Sequence, residues 1–83
     1  METLVNAVKV GDDDTLKFKP NPKRPGFKAH ARYEAYQNAT TLEEYLKLNE
    51  GKYARPDLRY DEEHGHLEIY NADGELKNPR PEE

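Results

Sequence analysis

Thr41-Leu42-Glu43-Glu44-Tyr45-Leu46-Lys47-Leu48-Asn49, residues 41–49, decides how this chain folds, because the stretch carries its own instructions for a helix. Thr41 followed three residues later by Glu44 is a capping box: the hydroxyl accepts from the amide of residue 44, and the carboxylate reaches back towards an amide at the cap. Leu42, Tyr45, Leu46 and Leu48 make an apolar stripe, while Glu43, Glu44 and Lys47 are left for solvent. Gly51 supplies a stop just beyond. The spacing predicts a helix over 41–49, and its stripe must be buried against neighbouring elements.

Towards the C-terminus, Pro56 suits the first turn of a helix, where its missing N–H has no helical partner in any case. Asp57 adds negative charge at the favourable end. Leu58 and the acidic residues after it continue to His64-Gly65, so the pattern predicts a helix over 56–64. His66-Leu67-Glu68-Ile69-Tyr70 alternates as a strand does, Asn71-Ala72-Asp73-Gly74 is turn chemistry, and Glu75-Leu76-Lys77 returns. A C-terminal hairpin of 66–70 and 75–77 is expected, followed by a flexible tail over 78–83.

Towards the N-terminus, Ala29, Tyr33 and Tyr36 recur at helical spacing and predict a helix over 28–37, broken by Asn38-Ala39-Thr40. Pro20-Asn21-Pro22-Lys23-Arg24-Pro25-Gly26 is neither helix nor central strand, since three prolines fix φ and remove three donors. It reads as a stiff basic arm, 20–27. Leu4–Val10 leans to β structure, Gly11-Asp12-Asp13-Asp14 is a turn, and Leu16–Lys19 alternates apolar and basic. These two runs predict an N-terminal strand or hairpin, 4–10 with 15–19. The fold class is therefore α+β: three short helices, a C-terminal hairpin and an N-terminal strand or hairpin. The chain divides into 1–19, the arm 20–27, a helical unit 28–77 and a tail. The expected core is Leu42, Tyr45, Leu46, Leu58, Leu67 and Ile69 with Tyr33 and Tyr36, and Tyr60 is read as core filler beside them.

Composition limits what such a chain can do. Of 83 residues, 36% are charged and 34% hydrophobic, mean hydropathy is -1.23, and Leu, Ile, Val and Phe together number 14. A core this lean needs its large apolar side chains for folding, which argues against a roomy catalytic pocket and for a non-enzymatic role. The absence of cysteine excludes disulfides, thiolate metal sites and Cys nucleophiles. No apolar run approaches the length of a membrane span, and Met1–Gly11 lacks the basic-then-apolar order of a signal peptide. Phosphate-loop, nucleophile-elbow and zinc-protease motifs are missing from the sequence. His64-Gly65-His66 with Asp61 and Glu63 offers at most a weak ligand set, so neither metal nor cofactor is expected.

Charge is unevenly spread. Residues 15–36 carry Lys17, Lys19, Lys23, Arg24, Lys28 and Arg32 against Glu34 alone, a net +5 inside a chain whose total is -4. Six cations on a proline-stiffened segment suit the phosphates of a nucleic acid, with Phe27, Tyr33 and Tyr36 nearby for stacking. The competing reading neutralises them with the acidic half of the same protein and buries the tyrosines. The helices at 41–49 and 56–64 outline a helix-turn-helix with a wing, yet Asp57, Asp61, Glu62 and Glu63 surround the one that would meet DNA, which favours packing over base reading. Tyr53, in a polar loop, and Tyr70, at a strand end, are the candidate protein-interface residues.

At Asn21-Pro22-Lys23-Arg24-Pro25-Gly26, Ala31-Arg32-Tyr33-Glu34-Ala35-Tyr36 and Asp57-Leu58-Arg59-Tyr60-Asp61, with Gly65 and the strand after it, the sequence resembles short uncharacterised proteins encoded by tailed phages. The resemblance spans residues 21–70. It implies a setting, the bacterial cytoplasm or a virion, and no activity. The expectation is a small binding module whose basic arm contacts nucleic acid. The alternative is a protein-binding factor, such as a host-enzyme inhibitor or a virion subunit, that uses the acidic C-terminal half and the tyrosines. Neither a membrane nor a small-molecule substrate is expected as a partner.

Overall fold

Helices form where their local signals lie. The computed structural model describes residues 2–79. In it α1 spans Lys28–Tyr36, α2 Leu42–Leu48 and α3 Ala54–Glu63. Thr41 caps α2 by accepting from the Glu44 amide at 3.1 Å, and the Glu44 carboxylate accepts from the Thr40 amide and hydroxyl at 2.8 and 2.9 Å. Those bonds hold the Glu44 carboxyl below its ordinary value. α3 starts two residues earlier than the sequence suggests, which keeps Pro56 within the donor-free first turn.

Strand pairing departs from the expectation while the α+β class stands. The run Leu4–Val10 does not form one strand. β1 (Thr3–Val5) turns at Asn6-Ala7 and pairs antiparallel with β2 (Val8–Val10), Val5 opposite Val8. Asn6 takes a φ of 58°, a left-handed value that asparagine tolerates better than most side chains, and its amide donates to the Arg59 carbonyl and the Glu62 carboxylate. The imperfect alternation of that run is the signature of this turn. β3 (Thr15–Phe18) instead pairs antiparallel with β4 (Leu67–Tyr70), Leu16 opposite Ile69 and Lys17 opposite Glu68, so the two ends of the chain are joined in one ribbon.

The expected return strand 75–77 is reduced to a single bridge between Tyr70 and Leu76, with the Lys77 amide donating to the Ile69 carbonyl. Asn78 completes the edge. Its side chain accepts from the Ile69 amide at 2.8 Å and donates to the Leu67 carbonyl at 2.9 Å, and the residue is buried. The expected tail therefore does not begin at 78, and its residues 80–83 lie outside the described residues.

Three layers of signal meet in the core. Val5, Val10 and Leu16 from the strands pack with Leu42, Leu58, Leu67 and Ile69, so the segment 1–19 shares the core of 28–77. Tyr33, Tyr36 and Tyr45 are almost wholly buried around Phe18, with ring centroids 4.9–5.9 Å apart. Each hydroxyl is satisfied: Tyr33 donates to the Lys19 carbonyl, Tyr36 to Asp61 and Tyr45 to the Ala54 carbonyl. Burial pushes all three phenols up. Tyrosine thus fills the volume that a lean aliphatic complement leaves. Tyr60 is the exception. It points outward and is 49% exposed, while Leu46 is only partly buried and Leu48 lies largely in solvent. Among the described residues no helix is long and apolar enough to cross a membrane.

Candidate nucleic-acid interface

The basic arm is tied to the body of the protein. Lys19 donates its amide to the His66 carbonyl at 2.9 Å, and the Asn21 side chain bonds the His30 carbonyl and the Glu34 carboxylate. Asn21 also accepts from the Lys23 amide, closing the turn that aims Lys23 inward. The Lys23 ammonium then sits 2.9 Å from the Asp61 carboxylate.

Asp61 is the residue that sequence reasoning missed. The sequence places it among four carboxylates around α3, yet it is fully buried. Ala54, Leu58 and Asp61 fall at i, i+4 and i+7 on the buried face of α3, so the helical period itself could have flagged the carboxylate as standing in a core position. Its Oδ2 accepts from the Tyr36 hydroxyl at 2.5 Å. Its Oδ1 has no hydrogen bond of good geometry and is held by charge, with Lys23 at 2.9 Å and His66 Nδ1 at 3.5 Å. Burial lowers the His66 imidazole below its ordinary value, against the pull of Asp61. The 14%-exposed Lys23 side chain, named from the sequence as a phosphate contact, is thus engaged as the counter-charge of Asp61.

Arg32 is committed in the same way. Its guanidinium grips Asp57 with two hydrogen bonds of 2.7 and 3.1 Å and lies 4.2 Å over the Tyr53 ring. The bond to Asp57 raises it further above its already high value. Asn49 donates to the same carboxylate. Two of the six cations are therefore neutralised by the acidic half of the same protein.

The other four are exposed, and no ion pair engages them among the described residues. Lys17 faces Glu68 across the β3–β4 ribbon and so meets an opposing charge. Lys19 is fastened by its backbone to His66. Arg24 and Lys28 flank Phe27, which is 59% exposed and carries the Arg24 guanidinium loosely over one side at 5.9 Å. Lys28 opens α1, whose first turn holds no acidic residue, so the helix dipole adds to the positive potential there.

Of these groups Arg24 and Phe27 line one open groove of about 390 Å³, together with Pro22, Lys23, Ala29, Tyr60 and His66. It continues past Ala29 and Tyr60 into a second depression beside Arg32, Pro56 and Asp57. Tyr60 has the Lys23 ammonium 4.2 Å from its centroid and the His64 ring stacked at 3.9 Å. Of the aromatics proposed for stacking, the structure brings only Phe27 to this surface, because Tyr33 and Tyr36 are core. Tyr53 is exposed but covered by Arg32. Tyr70 is half-buried with its hydroxyl on Glu68, which raises its phenol. Among the described residues no three metal-binding side chains converge. No protein-family model, curated protein or solved structure matches the chain.

Proposed function

We propose that this protein is a small nucleic-acid-binding module whose contact surface is the groove beside Phe27, with Lys19, Arg24 and Lys28 as the phosphate contacts. One observation carries the reading: Arg24 and Lys28, exposed and without an ion-pair partner among the described residues, flank the exposed Phe27 in the chain, with the Arg24 guanidinium 5.9 Å from its ring, while Lys23 and Arg32 are consumed by Asp61 and Asp57. Cations that neutralise phosphates release counterions, and an aromatic at the same place adds base stacking that tolerates any sequence. The rigid arm aids this use, since its ties fix the groove before a ligand arrives.

Titration of fluorescein-labelled oligonucleotides at low ionic strength tests the reading. Binding by the native protein is expected, with strong loss in an Arg24→Ala/Lys28→Ala variant of unchanged circular dichroism. Absence of binding by the native protein at low salt would remove the reading.

A second reading, a protein-binding factor, is favoured by the exposed side chains of Leu4 and Leu48, at 62% and 48%. It predicts that the same oligonucleotides are ignored and that Leu4→Ser or Leu48→Ser weakens partner capture.

A further inference from the structure

We infer that the ligand of this surface is an unpaired strand, with one base laid on the open face of Phe27 and the phosphates around it held by Arg24, Lys28 and Lys19. The inference rests on the nucleic-acid reading above and narrows it.

Duplex recognition needs an element that enters a groove, and neither available element is fit for it. The arm cannot follow a duplex groove, because Lys19, Asn21 and Lys23 bind it to His66, to α1 and to Asp61. α3, the helix that a helix-turn-helix would present, turns Ala54, Leu58 and Asp61 into the core and leaves Arg55 and Arg59 beside Glu62 and Glu63 on its outer side, a mixed-charge face with no excess of cations to draw duplex phosphates.

Aromatic exposure points the other way. A base inside a duplex already has both faces stacked and cannot reach a protein ring, whereas an unpaired base can. Tyr60, although exposed, already has the Lys23 ammonium over its ring and the His64 ring stacked on it, and so offers less ring surface to a base. Phe27 has no stacked ring partner among the described residues, only the distant Arg24 guanidinium, and it lines the same groove as Tyr60 and His66. A base entering there meets the Phe27 ring on one side and apolar Pro22 beside it. Arg24 is positioned to pair with phosphate or to stack on the same base.

Stacking on one aromatic accounts for about a 5- to 140-fold effect on affinity. Phe27→Ala is therefore expected to weaken oligothymidine and oligouridine binding by that factor while leaving urea unfolding unchanged, since the ring is solvent-exposed. A duplex of matched length is expected to bind at least tenfold more weakly than the single strand. Phe27→Trp introduces the only tryptophan of the chain. Its emission is expected to be quenched by the single strand and left unaltered by the duplex.

Equal binding of duplex and strand, or an affinity indifferent to Phe27→Ala, would overturn the single-strand inference and leave the nucleic-acid reading standing. Failure of both strand and duplex to bind at low salt would overturn both.

Discussion

Replacing Lys23 by methionine tests the role of the buried pair. The change keeps an unbranched chain of similar length and deletes the charge. Asp61 would then be a fully buried carboxylate with the Tyr36 hydroxyl as its one good donor and His66 at 3.5 Å. Removing one member of a buried pair costs about 3–5 kcal/mol. The Lys23 side chain keeps 14% exposure, which places the expected loss at the lower end, about 3 kcal/mol. A chain of this length has about 4–12 kcal/mol in total, so a quarter or more of the stability would go. The midpoint of thermal unfolding should fall by about 12–24 °C. Far-UV circular dichroism through urea and thermal unfolding measures both. Lys23→Met/Asp61→Asn should recover more than half of the loss, because a neutral amide needs no counter-ion and can still accept from Tyr36. A loss below about 1 kcal/mol, or a double variant no more stable than the single one, would refute the assignment of Lys23 to the core. The outcome also governs binding experiments: an alanine set that includes Lys23 confuses unfolding with lost contacts.

Other consequences of the buried network are measurable in the same way. Tyr36→Phe removes the hydroxyl from Asp61 and should cost about 1.5–3 kcal/mol in urea, with a silent substitution contradicting the 2.5 Å bond. His66 has its folded-state value lowered by burial, so the unfolded chain takes the proton first as pH falls below about 6.5. Stability should therefore be fully present above that pH and decline as pH falls below it, less steeply in His66→Gln; parallel pH profiles for the two proteins would contradict it. Asn78→Ala strips partners from the Ile69 amide and the Leu67 carbonyl and should cost about 1–3 kcal/mol, seen equally as faster hydrogen exchange at Ile69.

Helices were legible in the sequence because their signals are local. The Thr41–Glu44 box, the Pro56 first turn and the Tyr33/Tyr36 spacing each state a helix within one or two turns of chain. Strand partners were not legible, because pairing is a long-range choice that short runs do not encode. Leu16 and Ile69 are equally suited to several partners, and the N-terminal run gave away its turn only through the broken alternation at Asn6-Ala7. Asn78 looked like tail because nothing local reveals an asparagine that serves a distant edge strand.

The candidate site shows the same division. Its cations were visible as a charge excess, but which of them are spent on Asp61 and Asp57 depends on contacts 25 or more residues away. Phe27 was recognised as near the arm, whereas Tyr60 was read as core. Its outward position follows from α3 having Asp61, rather than Tyr60, on its buried face. Tyrosine as the main core filler was foreseeable from the scarcity of Leu, Ile and Val.

Salt dependence tests the central claim most directly. Each phosphate contact on a single strand contributes about -0.7 to the slope of log affinity against log salt concentration, so Lys19, Arg24 and Lys28 together predict a slope of about -2. Arg24→Ala/Lys28→Ala should bring it to about -0.7, while a stably folded Lys23→Met/Asp61→Asn protein should keep the native slope. A native slope near zero, or one that the Arg24 and Lys28 substitutions leave unchanged, would contradict the account.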